Sequence, residues 1–513
     1  MVHLESTSVE WALDFISSSS DSDLFPPTPE FSSIQALRQQ FVSAITVCEV
    51  KDLSLGASRR FLVPKDEVSY RQATQLDPQD ALVLTALIHQ FGDYIETRRL
   101  PESQVYSYRF EPSSSGLYRE SSNWNHFWMT AACLAKKAKS VVYCDIADFY
   151  NQIYHHTLEN QLIESGLPNQ ATKWILGLCE STTAGVSRGV PIGPHAVHLL
   201  AEGTLIPIDN ALLSHGLKFI RYADDILVFV PQGDTAQHAL STVAQTLDRQ
   251  QRLLLQRHKT RIYSPAEFEE VALHMIEDQP ISEREGDLLR IVRKYSGGNP
   301  YQTVWFGQID DEDWRSITEE TLGAIVNQYL SDEHVNYTRL GWFYRRLAQL
   351  GHPGALPITL QLLDRLTPCF PSVISYLASL QSIDTGVWRS VGGQLAALLD
   401  ADLFRDQEYY QVLLLSLFAR NQDMNHFAML AKKYTSSTPA ARRQILLAAA
   451  QNGAVDWLRE LKEDFPSMDL GQRLAYLHGS AGFPADERKY FIQRHQATFV
   501  RPLESILAKA ART

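Results

Sequence analysis

The stretch that decides the fold of the central part of the chain is FIRYADDILVFV, residues 219–230. Apolar and β-branched residues flank Asp224 and Asp225 on both sides, so the sequence predicts a β-hairpin with two carboxylates at its tip. Two crowded carboxylates are costly to bury unless a cation neutralises them. Because Mg²⁺ prefers oxygen ligands, the pair indicates a magnesium site.

A third acidic position lies upstream in VVYCDIADFY, residues 141–150. An apolar run typical of a strand ends at Asp145, 79 residues before Asp224 (224 − 145). If the tertiary fold brings this strand end to the hairpin tip, Asp145, Asp224 and Asp225 form one acidic site. Such a cluster is typical of two-metal phosphoryl transfer, in which one ion activates the attacking hydroxyl and the other stabilises the leaving pyrophosphate. Either motif alone is usually a solvated turn, and their combination favours catalysis.

These segments resemble motifs of the reverse transcriptases and stand in the same order along the chain. The resemblance covers roughly residues 100–265. The matching segments are VYSYRF at 105–110 (fingers), DIADFY at 145–150 (motif A), GVPIG at 189–193 (motif B), YADD at 222–225 (motif C) and Lys259-Thr260 (motif D).

The resemblance implies roles for the carboxylates and for one aromatic residue. Asp145 and Asp224 would be the main ligands of two Mg²⁺ ions, with Asp225 as a supporting carboxylate. The backbone carbonyl of Ile146 would complete the shell of one ion. Tyr150 occupies the family's steric-gate position, where an aromatic ring excludes a ribose 2′-hydroxyl. The resemblance therefore implies that the substrates are deoxynucleoside triphosphates.

Four further positions would contact the nucleotide if the resemblance holds. Lys259 would lie near the pyrophosphate and protonate it as it leaves. Arg109 would contact the triphosphate. Pro191 and Gly193 would let the backbone pass close beneath the incoming nucleotide.

Motif B departs from the usual pattern, because Ile192 and Val197 stand where retroelement enzymes have Gln and Ser. This departure, Pro194 and the long helical C-terminal part resemble the abortive-infection reverse transcriptases of bacteria, including the prophage-borne type. That resemblance implies phage defence, DNA synthesis without a nucleic-acid template, and priming from a protein hydroxyl. It also implies a single-stranded DNA product attached to the protein, and a homo-oligomer.

Two other functions stay open at this point. The first is conventional RNA-templated DNA synthesis, as in a retron-like or other defence enzyme. The second is a non-catalytic scaffold, in which the palm is inert and the C-terminal helices bind other proteins. The intact acidic residues count against the scaffold.

The pattern of apolar, polar and turn-forming residues along the chain predicts an α+β protein in three parts. Residues 1–30 are acidic and end in SSSSDSDLFPPTPE (17–30), whose composition is typical of a flexible connector. Residues 31–285 alternate helical and strand patterns, as expected for fingers and a palm with an antiparallel sheet that contains the YADD hairpin. SGGNP at 296–300 predicts a break. Residues 300–513 show one amphipathic helix after another, which predicts an all-α, HEAT-like helical-repeat domain.

Composition limits the partners and the compartment. The 513 residues carry a formal charge of −12, which argues against a generally basic surface that coats nucleic acid. Five dispersed cysteines with no CxxC pair predict free thiols. The N-terminus has no signal pattern, and no apolar run is long enough to span a bilayer. We therefore expect a cytoplasmic protein that does not engage a membrane.

Overall fold

A computed structural model describes residues 1–20, 22–114, 116–119, 123–276, 280–297 and 303–510. Its strands are β1 (Arg59–Pro64), β2 (Tyr70–Gln75), β3 (Phe110–Ser113), β4 (Gly116–Tyr118), β5 (Ser140–Asp145), β6 (Phe219–Tyr222), β7 (Asp225–Val230) and β8 (Arg261–Tyr263). The helices before residue 280 are α1 (Ser6–Ser19), α2 (Glu30–Ala36), α3 (Arg38–Thr46), α4 (Pro78–Glu96), α5 (Asn123–Ala135), α6 (Phe149–Gln152), α7 (His155–Glu164), α8 (Asn169–Thr182), α9 (His195–Ser214), α10 (Ala236–Gln251) and α11 (Pro265–His274).

The part of the chain after residue 280 is helical. Its helices are α12 (Glu283–Ser296), α13 (Asp311–Ser316), α14 (Glu319–Leu330), α15 (Tyr337–Leu350), α16 (Leu356–Gln361), α17 (Phe370–Ser379), α18 (Thr385–Leu398), α19 (Asp402–Arg405), α20 (Glu408–Phe418), α21 (Phe427–Lys433), α22 (Pro439–Gln451), α23 (Val455–Glu460), α24 (Leu470–Gly479), α25 (Ala485–His495) and α26 (Pro502–Lys509). Within the described ranges, no helix is long and apolar enough to cross a bilayer.

The chain divides into two compact units, each built from three segments. Unit 1 comprises Met1–Phe15, Cys48–Ser58 and Asp80–Gln279, and unit 2 comprises Ile16–Val47, Arg59–Gln79 and Pro280–Thr513. Two segments that the sequence assigns to fingers and palm, 31–47 and 59–79, thus cluster with the C-terminal helices. The domain limits drawn from the sequence stay predictions, and residues 298–300 of the predicted break lie outside the described residues.

The centre of unit 1 is a four-stranded antiparallel sheet with the strand order β6-β7-β5-β8. Strands β6 and β7 form the predicted hairpin, with Tyr222 paired to Asp225 across its tip. Helices α5 and α11 cover one part of the sheet, and α10 contacts β5 and β7. The apolar side chains between α5, α11 and the sheet form a buried core, which includes Phe127, Phe268 and Leu227. The strand predicted to end at Asp145 and the hairpin predicted over residues 219–230 are confirmed.

In unit 2, six of the helices contact one another in succession: α15, α17, α20, α22, α24 and α26. They begin at residues 337, 370, 408, 439, 470 and 502, so that successive starts lie 31 to 38 residues apart. Every residue of α20 from Tyr409 to Phe418, except Gln411, is buried. Helices that contact mainly their sequential neighbours bury a continuous core along the stack. The prediction of a predominantly helical C-terminal part is confirmed.

The structure corrects the prediction of a flexible connector at 17–30. Leu24 and Phe25 are buried in unit 2. The Phe25 ring centroid lies 5.3 Å from that of Phe61 and 5.7 Å from that of Tyr409, and the Tyr409 hydroxyl donates to the Leu24 carbonyl at 2.8 Å. Composition suggested a linker because Ser, Asp and Pro dominate the segment. Two apolar side chains are enough to anchor it.

Glu30, the last residue of this segment, forms a buried ion pair. Its side chain is fully buried, and its carboxylate lies 2.7 Å from Nη2 of Arg443, which is itself buried. Removing one partner of a buried pair leaves an uncompensated charge in a low-dielectric environment. The pair therefore ties the start of α2 to α22.

We expect Glu30→Gln to lower the free energy of unfolding of unit 2 by about 3 kcal/mol, because Arg443 then stays buried without its anionic partner. Denaturant unfolding followed by circular dichroism measures this change. The matched control is Glu463→Gln, because Glu463 pairs with Arg494 in full contact with solvent. No measurable change is expected in the control. Equal stability of the two variants would contradict the buried role of Glu30.

Candidate active site

The register of the central sheet brings the three predicted carboxylates together. Asp145 is the last residue of β5 and lies opposite Asp225, the first residue of β7. The Ile146 amide donates to the Asp224 carbonyl at 3.1 Å. Asp145 is buried and Asp224 is half-buried. Residues from two distant segments thus form one acidic site at the hairpin end of the sheet.

Asp145 and Asp225 each have a polar partner within the site. Lys259 pairs with Asp145, and the Tyr143 hydroxyl donates to Asp225 Oδ1 at 2.8 Å. Burial, followed by the charge of Asp224, raises the pKa of Asp225 well above the ordinary range of a carboxyl group. The repulsion among these carboxylates is the electrostatic problem that a bound cation would relieve.

Lys259 already supplies one positive charge to the site. Burial lowers the pKa of Lys259, but its hydrogen bond to Asp145 and the surrounding carboxylates outweigh that effect, so the net shift is upward. The ammonium group therefore stays charged at neutral pH. About half of the side chain is buried, and the rest is open to solvent.

Among the described residues, no group of three or more His, Cys, Asp or Glu side chains is arranged to hold a metal ion. Asp145 faces Lys259 and Asp225 faces Tyr143 instead. The donor set nevertheless fits a hard divalent cation, because all three side chains are carboxylates and the burial of Asp225 beside Asp224 penalises its ionised form.

A buried polar frame holds the hairpin tip. Ala223 adopts a φ of +50°, a left-handed conformation that is uncommon for a residue with a side chain. The Arg221 guanidinium donates to the Ala223 carbonyl at 3.0 Å, and the Ser107 hydroxyl accepts from the Ala223 amide at 2.9 Å. Both peptide groups of the turn residue are therefore fixed by fully buried side chains.

Arg221 is in turn neutralised by two acidic residues of α9. It donates to both carboxylate oxygens of Asp209, at 2.7 and 2.6 Å, and Glu202 lies 3.0 Å away. Glu202 also accepts from Arg99 at 2.8 Å and from Ser107 at 2.6 Å. Burial raises the pKa of Glu202, but the charges of Arg221 and Arg99 outweigh it and the net shift is downward. Sequence reasoning missed this network, although an arginine within an apolar strand was an available signal.

Arg109 belongs to the edge of the same network. Its guanidinium pairs with Glu96 and donates to the Leu100 carbonyl at 2.9 Å. The side chain is largely buried. The expected contact of Arg109 with a triphosphate stays a prediction.

The remaining predicted nucleotide contacts surround the motif B loop. The Tyr150 carbonyl accepts from the Val190 amide at 3.0 Å, which ties this loop to α6. Pro191 is buried, and Gly193 adopts a φ of +126°, which favours glycine. The Tyr150 hydroxyl lies 2.6 Å from Nδ1 of His198, at the start of α9. Tyr150 is therefore hydrogen-bonded both to the motif B loop, through its backbone, and to the helix that follows the loop, through its side chain.

Residues 63–289 match the family described as reverse transcriptase (RNA-dependent DNA polymerase). The match includes every residue assigned to the site. The chain therefore carries a reverse transcriptase domain, and this domain indicates an enzyme of the nucleotidyltransferase class, of the RNA-directed DNA polymerase family. A search of curated proteins finds no match.

We expect Ser107→Ala to lower the free energy of unfolding of unit 1 by about 1–3 kcal/mol, because the Ala223 amide and a Glu202 oxygen each lose a buried hydrogen bond. Ser181→Ala is the matched control, since the Ser181 hydroxyl donates locally to the Leu178 carbonyl at 2.8 Å. We expect the control to change stability by at most a few tenths of a kcal/mol. Chemical unfolding of the two variants side by side tests the frame, and equal effects would contradict it.

Proposed function

We propose that the protein is a Mg²⁺-dependent DNA polymerase that builds DNA from deoxynucleoside triphosphates. The observation that carries the proposal is the pairing of Asp145 with Asp225 at the end of the central sheet, beside Asp224. This arrangement lies within the reverse transcriptase domain. Adjacent carboxylates at a strand end suit catalysis of phosphoryl transfer by two metal ions.

Asp145, Asp224 and Asp225 would hold two Mg²⁺ ions, with the Ile146 carbonyl as a further ligand. When bound, the ions supply an activated attacking hydroxyl and neutralise charge on the leaving pyrophosphate. Lys259 would be the cation that acts on the pyrophosphate, because its long side chain pairs with Asp145 and remains partly exposed. Once released from Asp145, its ammonium group can donate a proton to an oxygen of the pyrophosphate.

Tyr150 would select the sugar of the incoming nucleotide. Its backbone carbonyl accepts from the Val190 amide of the motif B loop, in which Pro191 and Gly193 would let the backbone pass close beneath the nucleotide. An aromatic ring at this position leaves no room for a ribose 2′-hydroxyl. The substrates would therefore be deoxynucleotides.

Removal of the carboxylate charges tests the catalytic proposal. We expect Asp145→Asn and Asp224→Asn to lower DNA synthesis by at least about a hundredfold, since each removes a metal ligand. Asp148→Asn is the matched control: Asp148 lies three residues after Asp145, is exposed and has a φ of +48°, which Asn tolerates. Incorporation of labelled deoxynucleotides in Mg²⁺ measures the activity. Full activity of Asp224→Asn would overturn the assignment.

We also propose that synthesis needs no nucleic-acid template, starts on a protein hydroxyl and serves phage defence. The support is the apolar character of motif B, where Ile192 and Val197 replace two polar residues, and Val197 is buried. A site without those polar groups has fewer means of holding a template–nucleotide pair. The product would be single-stranded DNA attached to the chain. The successive helices of unit 2 would form a HEAT-like repeat domain that holds this strand within a homo-oligomer.

The product itself distinguishes this proposal from its alternatives. We expect nuclease-treated protein with the four deoxynucleotides to yield DNA that stays attached to protein and matches no added RNA. Sequencing of that DNA, with an added RNA of known sequence as the control, measures template use. Products complementary to the RNA would instead support templated synthesis. Phage restriction that survives Asp224→Ala would support a non-catalytic scaffold.

A further inference from the structure

His198 lies beside the proposed sugar gate and takes no part in the functions assigned so far. It belongs to the first turn of α9, immediately after the motif B loop. Its Nδ1 lies 2.6 Å from the Tyr150 hydroxyl. The Tyr108 ring stacks on its face, with ring centroids 4.0 Å apart and planes inclined by 8°. The imidazole is thus held by a polar contact at its edge and by an aromatic ring on its face.

The hydrogen bond fixes the orientation of the Tyr150 side chain. Burial raises the pKa of Tyr150, so its hydroxyl keeps its proton and can donate to Nδ1. An anchor at the hydroxyl restricts rotation about the Cα–Cβ bond of Tyr150, which is the rotation that swings the whole ring to a different place. A residue that excludes a single hydroxyl group must be placed to within a fraction of an ångström. The hydrogen bond between Tyr150 and His198 would therefore affect how well the site distinguishes deoxyribose from ribose.

Tyr108 and α9 are themselves anchored, which makes His198 a firm support. The Tyr108 carbonyl accepts from Arg99 at 2.8 Å, so the buried charge network holds the stacked ring in place. The Tyr118 hydroxyl donates to the His195 carbonyl at 2.6 Å and accepts from the Leu199 amide at 3.0 Å. These contacts fix the first turn of α9. The position of His198 thus depends on the same frame as the hairpin tip.

We infer that His198 is a positioning residue that sets the Tyr150 ring against the sugar of the incoming nucleotide, and that it thereby increases selection of deoxyribose over ribose. The inference rests on the proposed function, because it takes Tyr150 as the wall of the sugar site. A histidine that served only for packing could be replaced by phenylalanine without effect on selectivity. A histidine that anchors Tyr150 could not.

The test measures kcat/KM for a deoxynucleotide and for the matching ribonucleotide on the full chain in Mg²⁺. We expect His198→Phe, which keeps a ring against Tyr108, to reduce the preference for the deoxynucleotide by about three- to tenfold, the range of one hydrogen bond. His198→Asn, which offers an acceptor near the position of Nδ1, should restore much of the preference. The matched control is His215→Phe, at the other end of α9, where the exposed His215 ring contacts the Ala211 carbonyl of its own helix at 2.7 Å. The control should keep the wild-type preference.

A double-mutant cycle separates anchoring from general destabilisation. Tyr150→Phe removes the same hydrogen bond from the other side, so it should match His198→Phe, and the double variant should lose nothing further. Additive losses would overturn the inference, as would an unchanged preference in both single variants. Because Tyr150→Phe leaves α9 intact, this arm holds even if His198→Phe folds poorly.

Failure of the inference and failure of the proposed function give different results. If Tyr150→Val admits ribonucleotides but His198→Phe does not, the gate stands and His198 has no part in it. If Tyr150→Val keeps the wild-type preference, Tyr150 is not the gate and the inference falls with it. If the wild-type protein incorporates no deoxynucleotide, the proposed function is wrong and so is the inference.

Discussion

The geometry of the site depends on one buried guanidinium. Arg221 cannot be buried without its acidic partners, because an unpaired charge in the interior costs several kcal/mol. Both partners, Asp209 and Glu202, lie on α9, while Arg221 lies on β6. The ion pairs that neutralise the guanidinium therefore also dock α9 on the hairpin. Its contact with the Ala223 carbonyl extends the same constraint to the turn that carries Asp224.

This docking of α9 on the hairpin suits a site whose carboxylate groups repel one another. Ionised carboxylates at Asp145, Asp224 and Asp225 repel one another, and in the absence of a metal ion a rigid frame and the pairing of Asp145 with Lys259 keep them together. The buried ion pairs of Arg221 with Asp209 and Glu202 provide that frame. Arg99 extends it to Tyr108, and through the stacked imidazole to Tyr150. The carboxylates and the proposed sugar wall therefore share one support.

The sequence predicts those parts of the fold that depend on local pattern. The hairpin at 219–230 follows from two β-prone runs around an acidic pair, and the C-terminal helices follow from their amphipathic spacing. Tertiary pairing is harder to predict: Glu202 meets Arg99 across 103 residues, and no local pattern signals that contact. The ion pair of Arg109 with Glu96 was missed for the same reason. At 17–30, composition misled because a few residues, Leu24, Phe25 and Glu30, make the buried contacts that anchor the segment.

Unit 2 combines segments from both ends of the chain, and this affects how it folds during synthesis on the ribosome. Tyr409 meets Leu24 across 385 residues, Arg443 meets Glu30 across 413, and Arg501 meets Asp77 across 424. The early segments leave the ribosome long before their partners exist, with apolar residues such as Phe25 and Phe61 uncovered. Contacts of such sequence separation form slowly. Nascent chains of this protein must therefore be kept from aggregating until nearly all of the chain has been translated.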